Sequence, residues 1–500
     1  MSARSKTLGE LVRSGYRPRT VRAEIRANLI AKLRAGETLF PGILGYDRTV
    51  IPGVVNALLA GHDLLLLGLR GQAKTRILRA LVDFLDPEIP ELEGGEIHDD
   101  PLAPVSTWGQ RLVAEAGDDA PVAWLPRSER YREKLATPDV SIADLLGDID
   151  PIKAATRRLT YADPEVIHFG IVPRTNRGIF AINELPDLAP RIQVGLLNLL
   201  EERDLQIRGF PVRLPLDLLF AFSANPEDYT NRGTIITPLK DRIASQILTH
   251  YPPDVALAAR ITAQEAWTER DSGPRVVVPD FVRELIEEIS VAARESELVD
   301  QSSGVSARVA IAAIELLVSN LERRSLATGD SPVWPRVCDL PPLAPAITGK
   351  LEMVYEGEQQ GPEMVVRKLV GTACAKLAGR KLPEIGREAG SGGEDDTGPW
   401  APILAWFAAG NEVSVSDETP FERHEQELAR VPGLAGLVAE LGATREERAF
   451  WAELALEALH QAVKVARQDL DSRVSYKELL RFQLLKPPVR RGPRRSGDAN

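Results

Sequence analysis

The stretch Gly68-Leu69-Arg70-Gly71-Gln72-Ala73-Lys74-Thr75 lies between an apolar run and a helical pattern, the setting of a strand-loop-helix unit. It follows the phosphate-loop pattern GxxxxGK[ST], with Ala73 where the last glycine belongs. Gly68 and Gly71 let the backbone wrap phosphate oxygens. Successive N–H groups and a helix N-terminus supply donors, Lys74 neutralises the outer phosphates, and Thr75 offers a hydroxyl to magnesium. Alanine at 73 is expected to keep a helical conformation. Upstream, His62-Asp63-Leu64-Leu65-Leu66-Leu67 is a short continuous apolar run of the kind that makes a strand buried on both faces. Downstream, a helical pattern spans 74–85.

Outward from this loop, a helix is expected over 48–60, and apolar runs of strand length recur at 178–182 and 218–223, separated by helical stretches such as 191–202. Strands alternating with helices predict a parallel sheet. The run Arg177-Gly178-Ile179-Phe180-Ala181-Ile182-Asn183-Glu184 ends in Asn-Glu. A phosphate-transfer site wants an acidic pair there, one member holding magnesium through water and the other polarising the attacking water. Asn183 accepts hydrogen bonds from metal-bound water without adding charge, and Glu184 keeps the base. The next run, from Leu218 to Ser223, leads into Ala224-Asn225-Pro226, which puts an amide at the carboxyl edge of the sheet, where ligands of parallel sheets bind. Between these two runs, 206–213 (QIRGFPVR) alternates about a glycine and predicts a hairpin carrying Arg208 and Arg213. Arg242, in Pro238-Leu239-Lys240-Asp241-Arg242-Ile243, and Arg308, in Ser306-Ala307-Arg308, fall at helix ends. A fixed planar charge at such places suits the spreading negative charge of phosphoryl transfer.

The chain has 500 residues, 44% hydrophobic and 27% charged, which excludes a wholly disordered, collagen-like or coiled-coil protein. At roughly 100–200 residues per domain it should hold several. Its 61 Lys and Arg against 72 Asp and Glu give a formal charge of -11, so no global field draws it to nucleic acid or anionic membrane. Two cysteines, Cys338 and Cys374, cannot build a disulfide framework and are expected to be packed thiols. The six histidines show no compact zinc spacing. With no apolar leader and no run of membrane-spanning length, the expectation is a soluble cytoplasmic protein. The expected organisation is a helical extension over 1–38, in which Leu8, Leu11, Val12, Leu29, Ile30 and Leu33 recur at helical spacing, and an α/β domain over 39–252. A helical domain over 253–385 follows, with helices at 281–294 and 305–323. A Gly-rich acidic linker over 386–399 leads to a helical region over 400–485 and a basic disordered tail over 486–500. Trp400, Trp406, Phe407 and Trp451 are expected in a core.

Taken in order, these features resemble the AAA+ ATPases of the MoxR and magnesium chelatase ATPase-subunit branch. The resemblance covers about residues 38–385. It is carried by the GLRGQAKT loop, by DLLGDIDP leading to GIVPR and RGIFAINEL, and by SANPEDYTNRG and PLKDRI. It implies an AAA+ parallel-sheet core with a helix-2 insert and a pre-sensor-1 hairpin, then a helical lid. It further implies ATP held by Gly68, Gly71, Gln72, Ala73, Lys74, Thr75 and Arg76, and magnesium at Thr75 and Asn183. Glu184 becomes the catalytic carboxylate, Asn225 sensor 1 and Arg308 sensor 2. Arg242 becomes a finger acting on a neighbour's nucleotide, with Arg232 a second candidate. The implied assembly is a hexameric ring that remodels a partner bearing a von Willebrand A domain. Alternatives are the motor subunit of a metal chelatase and an ATP-binding scaffold with little turnover.

Overall fold

The computed structural model describes residues 4–150, 166–202, 204–206, 213–226, 233–385, 398–439, 441, 444–470 and 473–479. The chain divides into two compact units, Met1–Pro252 and Pro253–Asn500.

The first unit is built on a five-stranded sheet, β1 (Leu64–Leu67), β2 (Tyr131–Leu135), β3 (Gly178–Asn183), β4 (Leu218–Ala224) and β5 (Ser245–Leu248), in the order β5-β1-β4-β3-β2. Every neighbouring pair is parallel. The continuous apolar runs are explained by burial on both faces. Leu65, Phe180, Ile182, Phe220 and Phe222 enter one core, while Leu64, Leu66, Ile179, Ala181, Leu219 and Ala221 enter the other. The three expected strands are the three inner ones. The two that the sequence pattern missed are the edges, where one ladder is open and the residues, Tyr-Arg-Glu-Lys-Leu and Ser-Gln-Ile-Leu, are largely polar.

The helix before β1 spans Val50–Ala60 and ends at Gly61, whose φ of 68° closes it in the left-handed conformation. After the loop, Lys74–Ala80 is α-helical and Leu81–Phe84 continues as a 3-10 turn. The helix expected over 191–202 breaks at Leu196 into Pro190–Gly195 and Leu197–Glu201. Short strands Asp204–Gln206 and Arg213–Pro215 pair antiparallel where the hairpin was expected. Residues 207–212, with Arg208, lie outside the described residues, as do Arg232, the side chain of Arg213, most of the linker and the tail. Where the resemblance implied a helix-2 insert, the chain forms the helix Ile142–Leu145 and a pair of short antiparallel strands, Gly147–Ile149 and Ile167–Phe169.

The N-terminal extension is two helices, Leu8–Arg13 and Val21–Ala35. Leu8, Leu11 and Leu29 are buried as expected, but Val12 and Leu33 face solvent. The second helix is tied to the sheet by Glu24, whose carboxylate takes both terminal nitrogens of the buried Arg130 at 2.7 Å, just before β2. It is tied again by the Val21 N–H, which donates to Asp217 just before β4.

The second unit is mainly helical, with long helices at Asp280–Glu295, Arg308–Thr328, Pro362–Lys381 and Arg445–Gln461. Its last part also carries three short strands, β6 (Val413–Val415), β7 (Val465–Leu470) and β8 (Arg473–Glu478), in the antiparallel order β6-β8-β7. One buried apolar cluster runs from Val282 to Tyr476. It takes in Trp400, Phe407 and Trp451, with Trp406 packed partly against it. Among the described residues, no helix is long and apolar enough to cross a membrane.

Candidate phosphate-binding site

The loop 68–73 leaves β1 at its carboxyl end, and the neighbouring strand β4 ends level with it, Leu67 pairing with Ala224. The Gly68 N–H donates to the Ala224 carbonyl at 3.1 Å. A side chain at position 68 has no room, since a Cβ there would lie 1.9 Å from Thr249 Oγ1 and 2.2 Å from Gln72 Oε1. Gly71 has φ 76°. Ala73 does not keep the expected helical conformation; it is left-handed, at φ 56° and ψ 15°, immediately before the helix. The geometry that glycine usually provides is thus kept by an alanine, against the clash of its Cβ with the backbone.

Lys74 is 7% exposed, and its ammonium donates to the loop's own carbonyls, Gly68 O and, at 3.0 Å, Leu69 O. These oxygens occupy the lysine as phosphate oxygens would. Thr75 follows on the first turn, with its Oγ1 3.5 Å from Asn183 Oδ1 at the end of β3. Ser223 Oγ donates to the same Oδ1 at 3.1 Å. The register of β3 against β4 brings this about: Ile182 pairs with Phe222, so the next residues, Asn183 and Ser223, stand side by side. Glu184 comes next, at φ 55°, its N–H 3.3 Å from Ser223 Oγ. That turn ends β3 and points the chain out of the sheet at the carboxyl edge. Asn225, one residue past β4, is 1% exposed, and its Oδ1 has no hydrogen-bond partner among the described residues. A buried acceptor left open at the edge of a parallel sheet is a place for a ligand or an ordered water.

The loop is braced by residues that the sequence pattern did not single out. Thr249, just after β5, donates from Oγ1 to Gln72 Oε1 at 2.6 Å. Tyr46 places its hydroxyl 3.1 Å from the Gln72 carbonyl and 2.8 Å from the His250 carbonyl. Burial pushes the Tyr46 phenol up to about 12, so it remains a donor. Tyr251 reaches the Arg70 carbonyl at 3.2 Å. Ser223 carried a usable signal, a hydroxyl inside an otherwise apolar run; Thr249 and Tyr251 carried none, because they follow the unrecognised edge strand.

The oxygen donors Thr75 Oγ1 and Asn183 Oδ1 suit magnesium, a hard cation that keeps most of its waters. The loop's N–H groups, on a backbone that Gly68 and Gly71 leave free of side chains, suit a phosphate chain. The structure therefore brings together Gly68, Gly71, Gln72, Ala73, Lys74, Thr75, Asn183, Ser223 and Asn225 around one sheet edge, with Glu184 beside them. Arg76 is exposed on the helix after the loop. Arg242 stands elsewhere in the unit, at the end of Thr237–Arg242, with its guanidinium on Glu201 Oε2 at 2.7 Å and on the Pro238 carbonyl at 2.9 Å. Arg308 opens its helix in the second unit.

No protein-family model matches the chain, and no curated protein matches it either. Among solved structures, NtrX from Brucella abortus aligns at 14% identity over 59% of this chain, with a TM-score of 0.33, and the match spans 56% of the NtrX chain. Its complex with ATP aligns at 14% over 72% of this chain and 70% of its own, with a TM-score of 0.35. A cryo-EM-based complex of subunits BchI and BchD of magnesium chelatase aligns at 18% over 64% of this chain and 98% of that one, with a TM-score of 0.33.

Proposed function

We propose that this chain is an ATP hydrolase of the AAA+ type. The observation that carries this reading is the meeting of Lys74, Thr75 and Asn183 at the carboxyl edge of a parallel sheet ordered β5-β1-β4-β3-β2, below a loop with no space for a side chain at Gly68. Bound magnesium ATP supplies the phosphoryl group and neutralises part of its charge. The chain's residues do the rest. Lys74 leaves the Gly68 and Leu69 carbonyls for phosphate oxygens, and Thr75 with Asn183 presents oxygens to the metal position. Glu184 takes the proton of the attacking water, and Asn225, whose amide oxygen has no partner among the described residues, orients that water.

Arg242 is the proposed finger for a neighbouring subunit's nucleotide, in a ring for which six is the proposed number of subunits. Arg308 is the proposed second sensor, and the proposed client is a protein with a von Willebrand A domain. The motor subunit of a metal chelatase is the alternative within the same chemistry. In ring service Arg242 must exchange Glu201 for the neighbour's phosphate, which makes turnover depend on assembly. Steady-state ATPase of wild type and Glu184→Gln across protein concentration, with particle size followed in parallel, tests this. Turnover per subunit that rises with assembly and vanishes in Glu184→Gln is expected; turnover independent of concentration rejects the role in trans.

A second reading, a nucleotide-gated scaffold with little turnover, is favoured by one observation. Asn183 brings no charge to the metal position, and its Oδ1 already accepts from Ser223. ATP binding without hydrolysis in every assembly state would favour it.

A further inference from the structure

Far from any compact zinc spacing, the second unit gathers Cys338, His424 and Glu453. They come from the turn Val337–Asp339, the helix Phe421–Ala429 and the helix Arg445–Gln461. Among the described residues these three form a group whose thiol sulfur, ring nitrogen and carboxylate oxygen all lie within 4.8 Å of one another, and all three residues are buried. His424 Nε2 is 3.6 Å from Glu453 Oε2. Donors about 2.0 Å from a tetrahedral zinc stand about 3.3 Å apart, so a small closure would complete the ligand set.

The hydrogen-bond inventory is an independent sign. His424 and Glu453 are each 1% exposed, yet both ring nitrogens of His424 and Glu453 Oε1 have no hydrogen-bond partner among the described residues. Buried polar atoms in native proteins are nearly always satisfied, so an open ring nitrogen grouped with a thiol and a carboxylate marks the place of a missing partner. The other carboxylate oxygen, Oε2, accepts the Val337 N–H at 3.0 Å, an outer contact that fixes the carboxylate beside Cys338.

The surrounding charge agrees. Of the buried cations nearby, Arg324 donates from one terminal nitrogen to both oxygens of Asp339 at 2.7 Å, and Arg336 lies 3.5 Å from Asp330, with its charge also felt by Glu453. A Cys338 thiolate and the Glu453 carboxylate would carry two negative charges, which a divalent cation balances with Arg336 close by. Thiolate with imidazole selects against magnesium and calcium and in favour of zinc and its neighbours. Three protein ligands leave a fourth position. His424 also lines a polar cavity of about 210 Å³, together with Ser416, Thr419, Arg423 and Glu427.

We propose that Cys338, His424 and Glu453 form a buried site for zinc or a closely similar divalent transition cation, tying three elements of the second unit together. On binding, the Cys338 S–H bond is broken, its proton leaves to solvent, and a sulfur–metal bond forms with no change of oxidation state. The site is independent of the nucleotide reading.

Cobalt(II), titrated into the untagged full-length chain after chelation and dialysis, is the probe. One equivalent per chain is expected, with the intense visible bands of tetrahedral cobalt and a sulfur-to-cobalt charge-transfer band, all displaced by zinc. The chain has two cysteines, so Cys374→Ala should keep the charge-transfer band while Cys338→Ala loses it. Should Cys338→Ala fail to fold, a band retained in Cys374→Ala still assigns the sulfur to Cys338. Absence of stoichiometric binding by the wild type, a spectrum without sulfur ligation, or loss of the band in a folded Cys374→Ala overturns the proposal.

Discussion

At the scale of single residues, the loop holds a strain that can be measured. Ala73 sits at φ 56°, a region that costs an ordinary L residue roughly 1–2 kcal/mol and costs glycine almost nothing. Glycine also loses more freedom on folding, so the net gain from Ala73→Gly is expected to be about 0.5–1 kcal/mol. Denaturant unfolding of the nucleotide-free protein reads this directly, and an unchanged or lower midpoint would show that the loop relaxes around alanine. Asn183 makes the complementary case. Its Oδ1 takes hydrogen bonds from Thr75 and Ser223, and an aspartate would keep both while adding a negative charge at the metal position. A unit charge a few ångströms from a divalent cation is worth several kcal/mol even at an effective dielectric near 20. Asn183→Asp should therefore raise apparent magnesium affinity on the order of tenfold and raise turnover with it. A magnesium titration of ATPase rate is the check, and an unchanged midpoint would mean that the amide does not limit the site.

At the scale of elements, what could be read in advance followed burial. The inner strands β1, β3 and β4 are apolar on both faces and stood out; β2 and β5 were hidden because an open edge tolerates Arg132, Glu133, Lys134 and Gln246. The site followed the same division. Lys74, Thr75, Asn183 and Asn225 lie on or just past inner elements, whereas Thr249 and Tyr251 brace the loop from beyond an edge strand. The Cys338, His424 and Glu453 cluster had no periodic signal at all, because only the packing of three separate elements creates it. Burial also leaves a titration signature on the helix Asp280–Glu295. Glu287 is 3% exposed, accepts a hydrogen bond from Thr262 Oγ1, and is held above the ordinary glutamate range, chiefly by burial. The sign follows: a carboxyl raised in the folded state adds stability while it is protonated, below about pH 4.3, and that contribution is lost as pH rises through the folded value. Relative to wild type, Glu287→Gln should therefore gain stability as pH rises from the acid side toward neutrality. Paired melting curves across that range test the slope of the difference, which is independent of any constant cost of the amide; a flat or opposite slope would count against burial as the main cause.

At the scale of the whole molecule, the division at Pro252 and Pro253 separates binding from a part of the proposed catalysis. The first unit contains all five strands of the parallel sheet and the two cores on its faces, and every candidate contact to phosphate except Arg308. Among the described residues, nothing in those cores draws on positions beyond 252, so residues 1–252 are expected to fold as an independent cooperative unit. Such a fragment keeps Lys74, Thr75 and the braces Tyr46, Thr249 and Tyr251, and should bind ATP. It lacks Arg308, whose fixed charge is the proposed second sensor, and removing one such group from a phosphoryl-transfer site commonly costs tenfold or more in rate. The expected outcome is a fragment that melts in a single transition, binds ATP in the presence of magnesium, and turns it over at least about tenfold more slowly than the full chain. The point variant Arg308→Ala in the full chain should reproduce the loss in rate while preserving binding. A fragment as active as the full chain, together with an active Arg308→Ala, would remove the second unit from the chemistry and leave it a role in assembly or client contact.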